Sequence, residues 1–274
     1  VKSVSSPAVA LREETVEQVY QTETKRLIHP ERSRPLMTII PEKTPTEEMT
    51  VSLRDFHVEK SEKWIRVECP IALKTLSSAV VGSGFAWKKT FVNRHVNKCY
   101  DHDDPVLDMK MFLKHSGLTV SDTVAMMTAA RLADHESLYV EEDEFELFVM
   151  VTAGVGNAVD VSKAKKHTWE KEPVGTINIW VFVNGHLSEE AFIQALMTAT
   201  EAKAKAMFDE EVLDSVTKTI ATGTSTDSTL IAATQRGKDF AYSGTITPIG
   251  KAIGEAVYTC TSGAIRNARK VNKG

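Results

Sequence analysis

The sequence predicts an α/β (or α+β) fold: a mixed β-sheet packed by helices, forming one main domain with a short N-terminal appendage. Three observations point there. Apolar runs at residues 145–151 and 176–183 have the length and β-branched content of strands. Stretches at 188–209 and 248–269 carry apolar residues at helical spacing behind clear helix-start signals. Residues 1–50 differ in texture, holding five of the nine prolines (Pro7, Pro30, Pro35, Pro41 and Pro45).

Taken in order, residues 11–20 have the pattern of a short helix through Leu11, Val16, Val19 and Tyr20, and 25–28 and 36–40 those of short strands. Together they are too small to hold a core. The polar, proline-punctuated stretch 41–48 reads as a linker, so 1–50 is a tail and 51–274 the main domain. There, alternation in Val51-Ser52-Leu53 and from Trp64 to Cys69, around the charged stretch 59–63, predicts a β-hairpin. Residues 121–133 predict a helix. In the strand at 176–183, Ile177, Ile179, Val181 and Val183 share one face and Asn178, Trp180 and Phe182 the other, as in a central strand covered on both sides. Ser188 before Glu189 and Glu190 supplies an N-cap with carboxylates where the helix dipole favours them. Thr247-Pro248 places a cap before a proline at the first helical position. In that helix Ile249, Ile253, Ala256, Val257 and Cys260 form an apolar stripe, and Gly250 and Gly254 permit close packing.

Composition narrows the function. With 33 Lys plus Arg against 37 Asp plus Glu, a net charge of −4, 42% hydrophobic and 26% charged residues, the chain is neither disordered nor collagen-like. It also lacks the wide basic field that nucleic-acid binding requires. No window approaches 18 apolar residues, and Val1-Lys2-Ser3 has no apolar signal core, which predicts a cytoplasmic chain. The first residue is not Met, so a fragment is expected. Cys69, Cys99 and Cys260 are too far apart for a zinc knuckle and odd in number, which predicts reduced thiols.

The chemistry concentrates in two places. On the helix after Ser188, residues Phe192, Ala195, Leu196, Ala199, Ala206 and Met207 share one side, and Lys203 falls among them. An inward ammonium is costly unless paired, so Lys203 is expected to meet a carboxylate or line a polar cleft, or else to snorkel past the alanines. Glu201 lies nearly opposite on the wheel, where pairing with Lys205 at i+4 is the plain alternative. Residues 217–229 hold six threonines in thirteen positions, including Ala221-Thr222-Gly223-Thr224-Ser225-Thr226-Asp227. Such a loop can aim N–H groups and hydroxyls at one bound group, with Asp227 orienting a water or a base; a β-turn capped by the aspartate is the alternative. Gly154 and Gly156 lack the full dinucleotide spacing, and Trp87 stands where a phosphate loop from Gly82 to Thr90 needs glycine. Asp101-His102-Asp103-Asp104 reads as a solvated acidic loop rather than a metal site.

In order along the chain, Leu76-Ser77-Ser78-Ala79, Val92-Asn93, Met126-Met127-Thr128-Ala129-Ala130, Val151-Thr152-Ala153-Gly154 with Asn157-Ala158, Gly175-Thr176-Ile177-Asn178, Ala199-Thr200-Glu201-Ala202-Lys203, the 221–227 loop and Gly244-Thr245 resemble the adenosylcobinamide amidohydrolase family from about residue 51 to the C-terminus. One departure is Gly82-Ser83-Gly84-Phe85, where a more glycine-rich stretch is expected. In the tail, Val16-Glu17-Gln18-Val19-Tyr20, Leu27-Ile28-His29-Pro30-Glu31 and Arg34-Pro35-Leu36 resemble the C-terminal end of the ATPase subunit of an iron or cobalamin ABC transporter. The ATPase's nucleotide motifs are absent from this chain, so ATP hydrolysis is not expected.

The resemblance implies hydrolysis of the amide linking aminopropanol to the corrin ring of adenosylcobinamide, giving adenosylcobyric acid and 1-amino-2-propanol in cobamide salvage. The corrinoid is then substrate, with no cofactor and no metal. The implied partner is the membrane permease of a cobalamin importer, reached through the missing ATPase part, which would bring a cytoplasmic protein to the membrane. For this chemistry the candidate catalytic residues are Glu201 or Asp227 to activate water, Lys203 or the 222–226 loop to hold the oxyanion, and Thr224 or Ser78 as a rival nucleophile. Candidate substrate contacts are Ser78, Asn93, Thr128, Thr152, Asn157, Thr176, Asn178, Thr222 and Thr226. A non-catalytic corrinoid-binding module is the competing class.

Overall fold

A computed structural model describes residues 51–168 and 175–271; the helix expected at 11–20, the strands at 25–28 and 36–40 and the linker at 41–48 lie outside them. The expected hairpin forms from β1 (His57–Lys60) and β2 (Trp64–Ser77), turning where Ser61 Oγ accepts the N–H groups of Lys63 and Trp64. Its first arm starts later than the alternation suggested. Leu53–Asp55 is instead a 3-10 turn, closed by a reciprocal capping box between Ser52 and Asp55.

After β2 come β3 (Gly84–His95), α1 (Pro105–His115), β4 (Thr123–Thr128), β5 (Glu136–Glu141), β6 (Glu146–Ala153), the short β7 (Ala158–Val159), β8 (Ile177–Asn184) and β9 (His186–Leu187). Then follow α2 (Glu189–Asp209), β10 (Gly223–Thr224), β11 (Ser228–Ala233), β12 (Asp239–Phe240) and α3 (Pro248–Val271). The main sheet runs β4-β3-β2-β11-β8-β6-β5, with β1 added on β2. It is mixed: β3 with β4 and β8 with β11 are parallel, and the other pairs within it are antiparallel.

Strand β8 has the two covered faces its alternation predicts. Ile177, Ile179, Val181 and Val183 face a core shared with Phe192, Ala195 and Ala199 of α2 and Ile253, Val257 and Ile265 of α3. Trp180 and Phe182 face a second core with Ile65, Phe91, Val124 and Met126. That second core is closed by the sheet itself. Asn178 on β8 reaches Asn93 on β3 and the Met127 carbonyl on β4, and Trp180 Nε1 lies 3.2 Å from Met126 Sδ, although these strands are not neighbours in the sheet. The sheet therefore curls until its β4–β3 edge meets β8. Both long helices start at the predicted caps: Ser188 Oγ accepts the Ala191 N–H, and Thr247 Oγ1 the Gly250 N–H at 3.0 Å.

One expectation is corrected. Residues 123–128 form a strand, not part of a helix over 121–133. Val124 to Met127 is a short continuous apolar run, in which periodicity cannot separate strand from helix, and pairing with β3 on one side and Val81 on the other decides it. The acidic run 101–104 is an exposed loop, as expected, and has a further role: Asp104 Oδ1 accepts the Leu107 N–H and caps α1, with Pro105 at its first position. Gly82, at φ 79°, turns the chain from β2 towards β3 so closely that a Cβ there would lie 2.6 Å from the Thr123 carbonyl oxygen. Among the described residues no helix is long and apolar enough to cross a membrane.

Candidate active site

Because β8 and β11 are parallel neighbours, the segment entering β11 arrives beside the start of β8. Asp227, the residue before β11, takes its position from this. Its Oδ1 accepts the Ile177 N–H at 3.0 Å and the Thr224 hydroxyl; its Oδ2 accepts the Thr224 N–H at 3.1 Å and the Lys203 ammonium at 2.5 Å. Lys203 descends from α2, 12% exposed against 15% for Asp227, so the inward lysine does meet a carboxylate. Gly223 makes room for the pair, since a Cβ there would lie 2.4 Å from Asp227 Oδ2 and 2.7 Å from Lys203 Nζ.

The pair stands in a cavity of about 820 Å³. Its walls are α2 at Thr200, Glu201, Lys203 and Ala204, the loop at Thr222, Gly223, Thr224, Ser225 and Asp227, and the segment with Val159, Val161, Ala164 and His167. Five candidate residues thus converge: Glu201, Lys203, Thr222, Thr224 and Asp227. The wheel set Glu201 on a different surface from Lys203, yet both line this cavity, because the lysine stem reaches in to Gly223 while Glu201 stays exposed. Nor is Glu201 the partner of Lys205, which pairs with Asp209.

Geometry separates the two carboxylates. Asp227 already receives four donors, which fills the lone-pair sites of a carboxylate and suits it to holding Lys203 and Thr224 rather than a water. Glu201 makes no ion pair among the described residues and faces the open cavity.

The remaining candidates lie behind or beside this cavity. Thr226 Oγ1 donates to the Gly175 carbonyl, and Thr176 Oγ1 donates to the Thr226 carbonyl, which straps the loop to β8. Asn157, 1% exposed, donates to Ser225 Oγ at 2.7 Å from behind the loop. Asn93, Thr152 and Asn178 are at most 3% exposed and bond to one another, Asn178 donating to Asn93 at 2.8 Å and Asn93 to Thr152 at 2.9 Å. Thr128, equally buried, accepts the Ala130 N–H. These four are used by the fold, where the sequence suggested side chains turned towards a ligand. Ser78 is exposed beyond β2, its Oγ accepting the Thr229 N–H, and does not line the cavity.

Sequence reasoning missed His167 and Asp214. The His167 Nε2 lies 2.9 Å from Asp214 Oδ2 at the cavity wall. Burial alone would raise the Asp214 pKa; the N–H groups of Thr217, Asp160 and Val216 and the His167 ring overcome this and hold it below the usual carboxylate range. The two residues are 47 positions apart, so no local motif marks them. Ser225, inside the quoted loop, also lines the cavity. Cysteine is excluded from the cavity walls: burial pushes the Cys260 thiol up to about 12 and Cys69 in the same direction, and Cys99 is exposed elsewhere. Among the described residues no three His, Cys, Asp or Glu side chains converge as metal ligands.

The curled mixed sheet thus carries a lysine–aspartate pair and an open carboxylate in one cavity. Comparison with known proteins gives the family: the model for adenosylcobinamide amidohydrolase matches residues 47–273, and the chain belongs to that family. A Methanosarcina mazei protein named adenosylcobinamide amidohydrolase is 28% identical over 189 residues, covering 66% of this chain and 84% of the relative. An uncharacterized ABC transporter ATP-binding protein of Bacillus subtilis is 27% identical over 229 residues, 84% of this chain but 43% of the relative. An uncharacterized protein of Methanocaldococcus jannaschii is 32% identical over 134 residues, 48% of this chain and 47% of the relative. The chain thus spans less than half the length of two of these relatives.

Proposed function

We propose that this chain hydrolyses adenosylcobinamide at the amide linking aminopropanol to the corrin ring, giving adenosylcobyric acid and 1-amino-2-propanol. The observation that carries the reading is the Lys203 ammonium, fixed 2.5 Å from Asp227 in a cavity whose rim carries Glu201. Glu201 takes a proton from water as the water oxygen bonds to the amide carbon. The carbonyl oxygen becomes an oxyanion beside Lys203, which Asp227 orients. The C–N bond then breaks and the nitrogen leaves as the amine after receiving a proton, for which the carboxylic acid of Glu201 is the donor at hand. Thr222 and Ser225 offer hydroxyls to the amide arm. Asn93, Thr128, Thr152 and Asn178 act indirectly, by holding the strand ends beneath the loop.

The corrinoid is substrate in this scheme, which uses neither a metal nor an organic cofactor. The resemblance of residues 1–50 to a transporter ATPase tail and the Bacillus relative support a further part of the proposal, that this domain works beside the permease of a cobalamin importer. The test is to incubate the EDTA-treated chain with adenosylcobinamide and identify products by mass, with Glu201→Gln alongside. Both products should form, and the variant should lose on the order of 10²- to 10⁴-fold in kcat. Saturable corrinoid binding without products would replace the enzyme by a binding module.

A further inference from the structure

The cavity holds Lys203, Asp227 and the exposed Glu201, and exposed apolar side chains stand beside them. Val161 opens the short 3-10 helix Val161–Lys166, its N–H held by Thr222 Oγ1 at 3.2 Å, and it lines the cavity while remaining 72% exposed. On α2, Met197, Glu201, Ala204 and Phe208 share one side at 100° per residue. Glu201 and Ala204 line the cavity; Met197 and Phe208, one turn to either side, are 54% and 59% exposed. None of these three large apolar side chains belongs to a core cluster. Val161 lines the cavity, and Met197 and Phe208 continue the α2 side that Glu201 and Ala204 present to it; exposed apolar residues grouped in this way mark a binding surface.

A cavity of about 820 Å³ suits a drug-sized ligand, and adenosylcobinamide, with a macrocycle and a nucleoside, is larger than that. Most of it must stay at the mouth. We propose that Val161, Met197 and Phe208 form an apolar collar that seats the corrin macrocycle, so that the aminopropanol arm alone descends to Glu201 and Lys203. The collar rests on the function proposed above and adds its specificity: Glu201 and Lys203 handle an amide, and the collar admits amides carried by a large macrocycle. A small amide such as N-acetyl-1-amino-2-propanol would reach Lys203 without the ring contact.

The test uses the wild-type chain and Val161→Asp, Met197→Ser and Phe208→Ser, with folding checked by circular dichroism. Adenosylcobinamide affinity is measured by titration calorimetry, turnover by product mass, and oligomeric state by light scattering. Each variant should raise Kd and KM roughly tenfold, the loss expected for one large apolar contact. The discrimination between adenosylcobinamide and N-acetyl-1-amino-2-propanol should fall by a similar factor. Unchanged Kd and KM in all three overturn the collar, whether or not the oligomeric state changes; a change there assigns the surface to a second copy of the chain. If the wild type binds adenosylcobinamide without hydrolysing it, the Kd shifts still decide the collar while the proposed reaction falls. If it does not bind, both fall.

Discussion

Replacing Gly223 by alanine tests whether the Lys203–Asp227 pair organises the site. The new Cβ would stand 2.4 Å from Asp227 Oδ2 and 2.7 Å from Lys203 Nζ, so the groups must part by about 1 Å to reach ordinary contact. Asp227 is the less mobile partner, because the N–H groups of Ile177 and Thr224 pin its two oxygens. The Asp227 carboxylate must still turn its Oδ2 away from the new Cβ, and Lys203, the more mobile partner, is displaced from it. Losing its charge-assisted hydrogen bond costs about 1.5–3 kcal/mol, offset by roughly 0.4–1 kcal/mol because alanine restricts the unfolded chain. The net loss is about 0.5–2.6 kcal/mol, and Tm should fall by roughly 1–10 °C. A misplacement near 1 Å in the group proposed to hold the oxyanion should lower kcat/KM about 10²-fold. Product formation from adenosylcobinamide and a thermal melt provide both readings, and Lys203→Met provides the control: if Gly223 acts through Lys203, the double variant should be little worse than Lys203→Met alone. Activity within threefold of wild type with an unchanged Tm would refute the argument.

Other consequences follow from particular contacts. In α3, Gly254→Ala should stabilise the fold by about 0.5–1 kcal/mol, as its Cβ would meet only Thr198 Cγ2 at 3.5 Å, whereas Gly250→Ala, 1.9 Å from the Gly244 carbonyl oxygen, should destabilise it by ~1–3 kcal/mol or more; denaturant melts separate the two. Asp214→Asn tests the lowered carboxyl. A depressed folded pKa gives stability that is complete above the unfolded value near ~3.9 and is lost as pH falls through the lower folded value. The Tm difference between wild type and Asp214→Asn should hold constant above about pH 5 and shrink below about pH 4; a gap that widens in acid would contradict this. Asn178→Ala strips partners from Asn93 Oδ1 and the Met127 carbonyl and should cost roughly 2–4 kcal/mol by chemical denaturation.

Much of the fold was written locally. The period of two in β8 assigned each side chain to its core, and Ser188 and Thr247 marked where helices begin, because both signals depend only on neighbours in the chain. The strand at 123–128 was not legible, since Val124, Ala125, Met126 and Met127 suit either structure and only β3 and Val81 choose between them. For α1 the signal was present: Asp104-Pro105 is the same cap-and-proline start as Thr247-Pro248, hidden in an acidic run. The site divides the same way. Lys203 stood out as a charge on an apolar side, and the threonine-rich loop by its density. His167 and Asp214 meet only through folding. The asparagines were visible but ambiguous: Asn93 and Asn178, 85 residues apart, carry the same hydrogen-bonding groups whether they hold a ligand or each other.

One end strand of the sheet, β4, has its open side covered. β4 ends the order on one side, and a row of unpaired peptide groups there would invite another chain to add on. Instead, Gly82 lies over the Thr123 carbonyl, Val81 takes both the N–H and the carbonyl of Ala125, and Asn178 takes the Met127 carbonyl. Ala125 and Met127 are thus paired, and Thr123 is sterically covered, from within the same molecule. A domain closed in this way can work at high local concentration without its β4 edge templating strand-to-strand aggregation.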